Sequence, residues 1–125
     1  MMFMLPDVQN EDWTPDAEAV AAMSRYNDEL AKAGVLLALD GLHPPDKGAR
    51  VVFSGGSSTV TDGPFTESKE VIGGYWLIQV KSKEEAVQWA SRCPGEDCMI
   101  EVRQVFEMSD FPADVQAAAE AATAG

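Results

Sequence analysis

Few side chains here can move a proton near neutral pH. His43 is the sole histidine, and an imidazole titrates near neutrality and can shuttle protons. It lies in Gly41-Leu42-His43-Pro44-Pro45, a Gly/Pro-rich loop that presents a side chain free of helix or sheet. A lone histidine can equally be a loop residue bonded to backbone. A second cluster is Asp62-Gly63-Pro64-Phe65-Thr66-Glu67-Ser68-Lys69-Glu70, a rigid turn joined to ionisable side chains. Asp62 suits an Asx-type cap on that turn. Facing a pocket, it could instead orient His43 or act as a base. Gly63 and Pro64 make the turn, and Phe65 reads as an anchor in a core or an interface. In an extended chain Glu67 and Lys69 share one side. There they could pair with each other, with Arg50 or with Arg103, or form a solvated charge run. A carboxylate beside a rigid turn can also acquire a raised pKa. Lys69 or Arg50 would draw an anionic ligand, and Asp40, just before the His43 loop, is another carboxylate able to orient the imidazole.

These residues need elements to position them. Residues 1–5 read as a short strand stopped by Pro6, which cannot donate to a ladder. Thr14-Pro15 starts a helix on which Val20, Met23, Tyr26 or Asn27, and Leu30 recur at helical spacing. Gly34 is its natural stop, and Val35–Leu39 is of strand length. Arg50–Phe53 and Ser58–Thr61 flank Ser54-Gly55-Gly56-Ser57 as a hairpin. Val71–Val80 reads as a strand entered through Gly73-Gly74, where glycine marks a bulge or close backbone contact. Ser82-Lys83-Glu84-Glu85 is a capping-box pattern opening a helix with Ala86, Trp89 and Ala90 on its apolar face and an end before Pro94. Met99–Phe106 alternates as the last strand, with Ile100, Val102 and Phe106 inward. An Ala-rich tail from Ser109 reads as a short helix that frays.

The order strand, helix, strand, hairpin, strand, helix, strand is a split βαβ arrangement. It predicts an α+β, ferredoxin-like fold with an antiparallel sheet and helices on one face. Phe53, Tyr75, Trp76 and Phe106 offer more apolar area than a solvated sheet face should carry. A second copy of the chain, packed sheet to sheet as a homodimer, is the expected cover.

Length bounds the answer: 125 residues make one domain, with residues 1–108 as the body and 109–125 as the tail. Nine basic against 21 acidic residues leave a net charge of −12. That disfavours nucleic acid, which needs clustered Lys and Arg, and anionic membrane surfaces. No apolar run approaches the ~20 residues that cross a bilayer. The apolar start, Met1 to Pro6, has no basic lead-in and ends too soon for a signal peptide, so the expected location is cytoplasmic. Cys93 and Cys98, with four residues between them, do not match a CxxC pattern. With one histidine they make a poor zinc site and read as free thiols, though oxidation could join them. No P-loop, GxSxG elbow or dinucleotide fingerprint is present, so no metal or cofactor is expected.

The Asp62-Gly63-Pro64-Phe65 run, with Glu67, Lys69-Glu70 and Gly73-Gly74-Tyr75, resembles the DGPF branch of the YCII-related proteins. Gly41-Leu42-His43-Pro44, Lys47-Gly48-Ala49-Arg50-Val51, Arg92-Cys93-Pro94 and Glu101 through Glu107 fit the same pattern, as do Tyr26-Asn27, Gly34–Leu37 and Trp89. The resemblance implies a dimeric α/β barrel of ferredoxin-like halves and no defined reaction. Relatives in the wider superfamily include muconolactone isomerases and dechlorinating lyases. A His–Asp pair has been proposed as catalytic in YCII relatives, and His43 and Asp62 are its candidate carriers here. The resemblance also implies a link to extracytoplasmic-function sigma factors. The chain departs from the pattern in its shorter first strand and in Asp40, where relatives commonly carry a longer acid.

Two functions follow as expectations. One is a small-molecule binder or enzyme limited to proton transfer, such as an isomerase or lyase step. In it His43 and Asp62 are catalytic, and Asp40, Arg50, Phe65, Glu67 and Lys69 line the ligand site. The other is a non-catalytic regulatory module whose acidic surface meets a basic partner.

Overall fold

The computed structural model describes residues 1–6, 16–63, 71–95 and 97–123. Strand β1 (Met2–Pro6) leads into helix α1 (Ala17–Lys32) and strand β2 (Leu36–Gly41). Strands β3 (Ala49–Ser54), β4 (Ser57–Asp62) and β5 (Gly74–Ile78) follow. Helix α2 (Lys83–Ser91), strand β6 (Cys98–Val102) and helix α3 (Ala113–Thr123) complete the chain. The strands form a four-stranded sheet in the order β2-β5-β1-β6 and a separate two-stranded ribbon, β3-β4. Every pairing is antiparallel. Since β5 lies between β1 and β2, the β1–α1–β2 unit is split, as the element order predicts. The architecture is α+β, and among the described residues the sheet of one chain is open and closes no barrel.

Local chemistry accounts for the helix ends. Asp16 is the cap of α1, its Oδ1 accepting the Ala19 N–H at 2.7 Å. The expected start at Thr14-Pro15 lies outside the described residues. Helix α1 ends where Gly34 takes φ +77°, a conformation that favours glycine. Ser82 caps α2 by accepting the Glu85 N–H at 3.1 Å. The Glu85 carboxylate reaches back to the Lys81 N–H at 2.9 Å, one residue beyond the usual capping-box donor.

The core lies between one sheet face and the two helices α1 and α2. Met2, Tyr26, Leu30, Val35 and Trp76 are its buried centre, with Ile78, Trp89, Ile100 and Val102 packed against it. Full burial of Met2 or Leu30 contributes roughly 1.5–3 kcal/mol each. Polar atoms in this core are matched. Tyr26 donates to the Trp89 carbonyl at 2.6 Å, and Trp76 Nε1 donates to Asn27 Oδ1 at 2.8 Å. The Tyr26 and Trp76 rings meet edge to face at 5.8 Å. Burial, together with nearby Cys93, pushes the Tyr26 phenol up to about 12.

The structure corrects which aromatics stand on the outer face of the sheet. Trp76 belongs to the helix-side core, because it shares a face with Met2 and Leu39 in the register. Phe53 stands in the ribbon, off the four-stranded sheet. Phe106 lies beyond β6, which ends at Val102 rather than Phe106. The reason is a lack of neighbours. β6 pairs only with β1, and its ladder runs out where Met2 faces Val102 and the Arg103 N–H bonds the Met1 carbonyl. Of the four aromatics, only Tyr75 faces outward on the sheet.

Two segments stand off this body. The ribbon turns through Gly55 and Gly56 at φ +58° and +81°, a two-glycine hairpin of the kind that matches strand twist. All its strand residues are exposed, Phe53 at 80 %. Helix α3 has no buried residue, and Phe106, 72 % exposed, stacks on Phe111 at 4.9 Å. No helix among the described residues is long and apolar enough to cross a membrane.

Candidate functional site

The His43 loop and the Asp62 turn are joined by backbone. The loop folds into a tight 3-10 turn, Pro45–Lys47, held by the Gly48 N–H bonding the Pro45 carbonyl at 2.9 Å. The Gly63 N–H then bonds the Gly48 carbonyl at 3.0 Å. A Cβ at position 63 would lie 1.7 Å from the Pro45 carbonyl oxygen, closer than atoms can approach. Only glycine fits there, so the first half of the Asp-Gly-Pro-Phe run is a docking point between hairpin and loop. Asp62 ends the ribbon opposite Ala49 and is exposed. His43 is exposed as well, and among the described residues no hydrogen bond or ion pair joins it to Asp62 or Asp40. Phe65, Glu67 and Lys69 lie outside the described residues. Arg50 is exposed on β3, and its side chain is engaged.

Sequence reasoning missed Tyr75. On the sheet face away from the helices the register aligns Asp40, Tyr75, Phe3 and Glu101 in one row across four strands. The Tyr75 hydroxyl donates to Asp40 Oδ2 at 2.8 Å. That bond, with the carboxylate charge behind it and some burial, raises the Tyr75 pKa. The glycines at the entrance of β5 permit the arrangement. A Cβ on Gly74 would sit 3.0 Å from the Asp40 carbonyl, and Gly73 bonds the Met4 carbonyl at 2.7 Å. Close backbone contact was the expectation for this pair of glycines. Chemically, the pair offers a carboxylate held in place by a phenol, with a second carboxylate oxygen able to accept a proton from a ligand hydroxyl or carbon acid. The β2–β5 register is the signal that could have found it, and it is not readable from local pattern alone.

A groove lies elsewhere. Gly41, which leads into His43, faces Gly74 at the start of β5. The groove, of about 650 Å³, opens at the other end of that strand, where Leu77, Val80 and Val105 form apolar walls beneath Lys81, Lys83 and Arg103. Of the residues expected to carry the site, none of the four described ones, Asp40, His43, Arg50 and Asp62, lines it.

Cys93 and Cys98 are free, half-buried thiols. Burial pushes Cys93 up to about 11, with Cys98 adding to it, and burial raises Cys98 too. Both are therefore poor nucleophiles near neutral pH. Among the described residues no cluster of His, Cys, Asp and Glu could hold a metal ion.

An open α+β sheet, backed by two helices and carrying an acid–phenol pair on its other face, defines a fold of the split βαβ class. The model of the YCII-related domain matches residues 1–109, and the chain belongs to that family. It is also similar to the uncharacterized protein R00369 of Rhizobium meliloti (strain 1021), 33 % identical over 75 residues. The match covers 60 % of this chain and 60 % of that relative's length.

Proposed function

We propose that this YCII-related protein, of the DGPF branch, works as a homodimer packed sheet to sheet into a ferredoxin-like dimeric barrel, and that it binds a small molecule on that face. The observation that carries this reading is the Tyr75–Asp40 hydrogen bond of 2.8 Å, set on the sheet face opposite the α1–α2 core with half-buried Phe3 and Leu77, buried Leu5 and exposed Met99. A sheet face of that composition is suited to packing against a second copy. Closing it would take the acid–phenol pair out of bulk water, where a proton transfer of the isomerase or lyase kind can be run. His43, at the same end of the sheet, would serve as a second acid or base from its loop, with Asp62 close behind it in the docked turn.

Light scattering tests the assembly. The expected mass is twice the 13.5 kDa of the chain, falling to that of a single chain in Met99→Glu, which puts a carboxylate on the face. A wild-type mass of one chain would sink the reading. The site is tested by ligand-observed NMR against a panel of small hydroxy- and keto-acids. Binding that survives in wild type and is lost in Tyr75→Phe and Asp40→Asn supports it. Turnover lost in His43→Ala with binding kept would add catalysis.

A second reading is a non-catalytic module that meets a basic partner such as an extracytoplasmic-function sigma factor. The net charge of −12 and the exposure of His43 favour it. Capture of such a factor at low salt and its loss at high salt would separate this reading from the first.

A further inference from the structure

We propose that the groove at the far end of β5 is a separate binding site for a small amphipathic carboxylate. Three observations converge on it. The first is charge. Lys81, Lys83 and Arg103 line the groove and Glu107 is the one acid that does, a local balance of 3 − 1 = +2 in a chain of net −12. Two nearby acids have partners: the Glu85 carboxylate accepts the Lys81 N–H at 2.9 Å, and Glu101 lies 3.5 Å from Arg103, so Arg103 shares its charge. Lys81 and Lys83 form no ion pair among the described residues.

The second observation is the apolar wall below the cations. Leu77 and Val80 come from β5 and its exit, Val105 from the segment after β6. At about 650 Å³ the groove is within the range of small-molecule sites, which pair apolar walls with a few placed polar groups.

The third is a backbone irregularity. The β2–β5 register shifts between Leu36 and Ala38, so Leu37 is an extra residue in the ladder. Such a bulge re-aims a side chain. Leu37 is left 58 % exposed and lines the groove rather than joining the core. A leucine turned outward beside three cations is poorly explained by folding alone, and it is what an apolar body with an anionic head requires.

The cations then hold the carboxylate through charge-assisted hydrogen bonds, and the apolar body lies along Leu37, Leu77 and Val105. The groove meets the Asp40–Tyr75 face at Leu77, which belongs to both, but neither Asp40 nor Tyr75 lines it.

The test is calorimetric titration of the full chain with octanoate at low ionic strength, with 1-octanol as the uncharged comparison and amide NMR shifts to locate the ligand. Octanoate should bind one per chain, more tightly than octanol, and shift Val80, Lys81 and Val105. Lys81→Gln combined with Lys83→Gln should weaken octanoate about fivefold or more while leaving octanol unchanged, the scale of exposed charge pairs. These lysines are exposed, so an unchanged melting temperature is expected and separates lost binding from lost fold. Leu37→Ser should weaken both probes. Equal binding of octanoate and octanol, an unaffected double variant, or shifts confined to other residues would each overturn the proposal.

Discussion

Strand β5 and the β3–β4 ribbon are built from similar residues, Tyr75-Trp76-Leu77-Ile78 in one and Arg50-Val51-Val52-Phe53 in the other. Their fates differ. Trp76 is 5 % exposed and Phe53 is 80 % exposed. The ribbon forms because two glycines close a hairpin and β-branched residues favour extended backbone. β5 is buried because distant strands, β1 and β2, close on both its edges and two helices cover one face. Strand formation is a local matter, whereas burial is decided by partners far away in sequence. An isolated two-stranded ribbon is marginal in water, so the contrast also marks the least supported part of the described fold.

Substitutions can break or sharpen that contrast. The largest effect is expected from Leu30→Ala in the fully buried centre of the body. Losing the side chain and leaving a cavity should cost about 2–5 kcal/mol, read as a fall in the urea midpoint. Tyr26→Phe, in the same core, should cost about 1 kcal/mol by removing the hydrogen bond to Trp89. The Trp89 carbonyl keeps the Arg92 N–H as a donor at 3.1 Å, which limits the loss.

The same phenol sets an alkaline limit. Its pKa is raised in the fold to about 12, above the roughly 10 of an unfolded chain. The neutral form is therefore the one the fold favours. Its stabilisation is intact below about pH 10 and is lost as pH rises through the folded value. Denaturation midpoints should decline between these limits in wild type and decline less in Tyr26→Phe.

Phe53→Ser in the ribbon should have the smallest effect, under about 0.5 kcal/mol in dilute solution. A cost as large as that of Leu30→Ala would show that a partner covers the ribbon.

The division between what could and could not be read in advance follows the same line. The helices were legible because their signals are local: Ser82 caps, Gly34 stops, and Tyr26 and Leu30 repeat at one turn. The hairpin was legible from its glycines. Strand ends were less so, since Val71–Val80 shrinks to Gly74–Ile78 and the last strand loses Arg103 to Phe106. Those limits depend on where the neighbouring strand stops. Trp76 could be read for the core or for the outer face, because alternation gives two faces without saying which one the helices cover, and the core reading is the one that holds. The candidate site suffered most. His43 and Asp62 were picked by residue type, and the loop and turn do meet, through Gly63 and Pro45. The acid–phenol contact needs Asp40 and Tyr75 to face one another across the β2–β5 ladder, a pairing 35 residues apart in sequence.

The central place of β1 bears on the order in which the protein is made. Residues Met2–Pro6 are synthesised well before their ladder partners, Gly74–Trp76 and Cys98–Val102. Until the ribosome has released the chain past residue 102, this strand has an open edge and Met2 has no finished core to enter. Contacts between such distant residues form slowly, after a large loop has closed. Meanwhile α1 and the ribbon can assemble as they emerge. The nascent chain thus carries this apolar strand unpaired until β5 and β6 have emerged, and it is the segment a chaperone would be expected to hold.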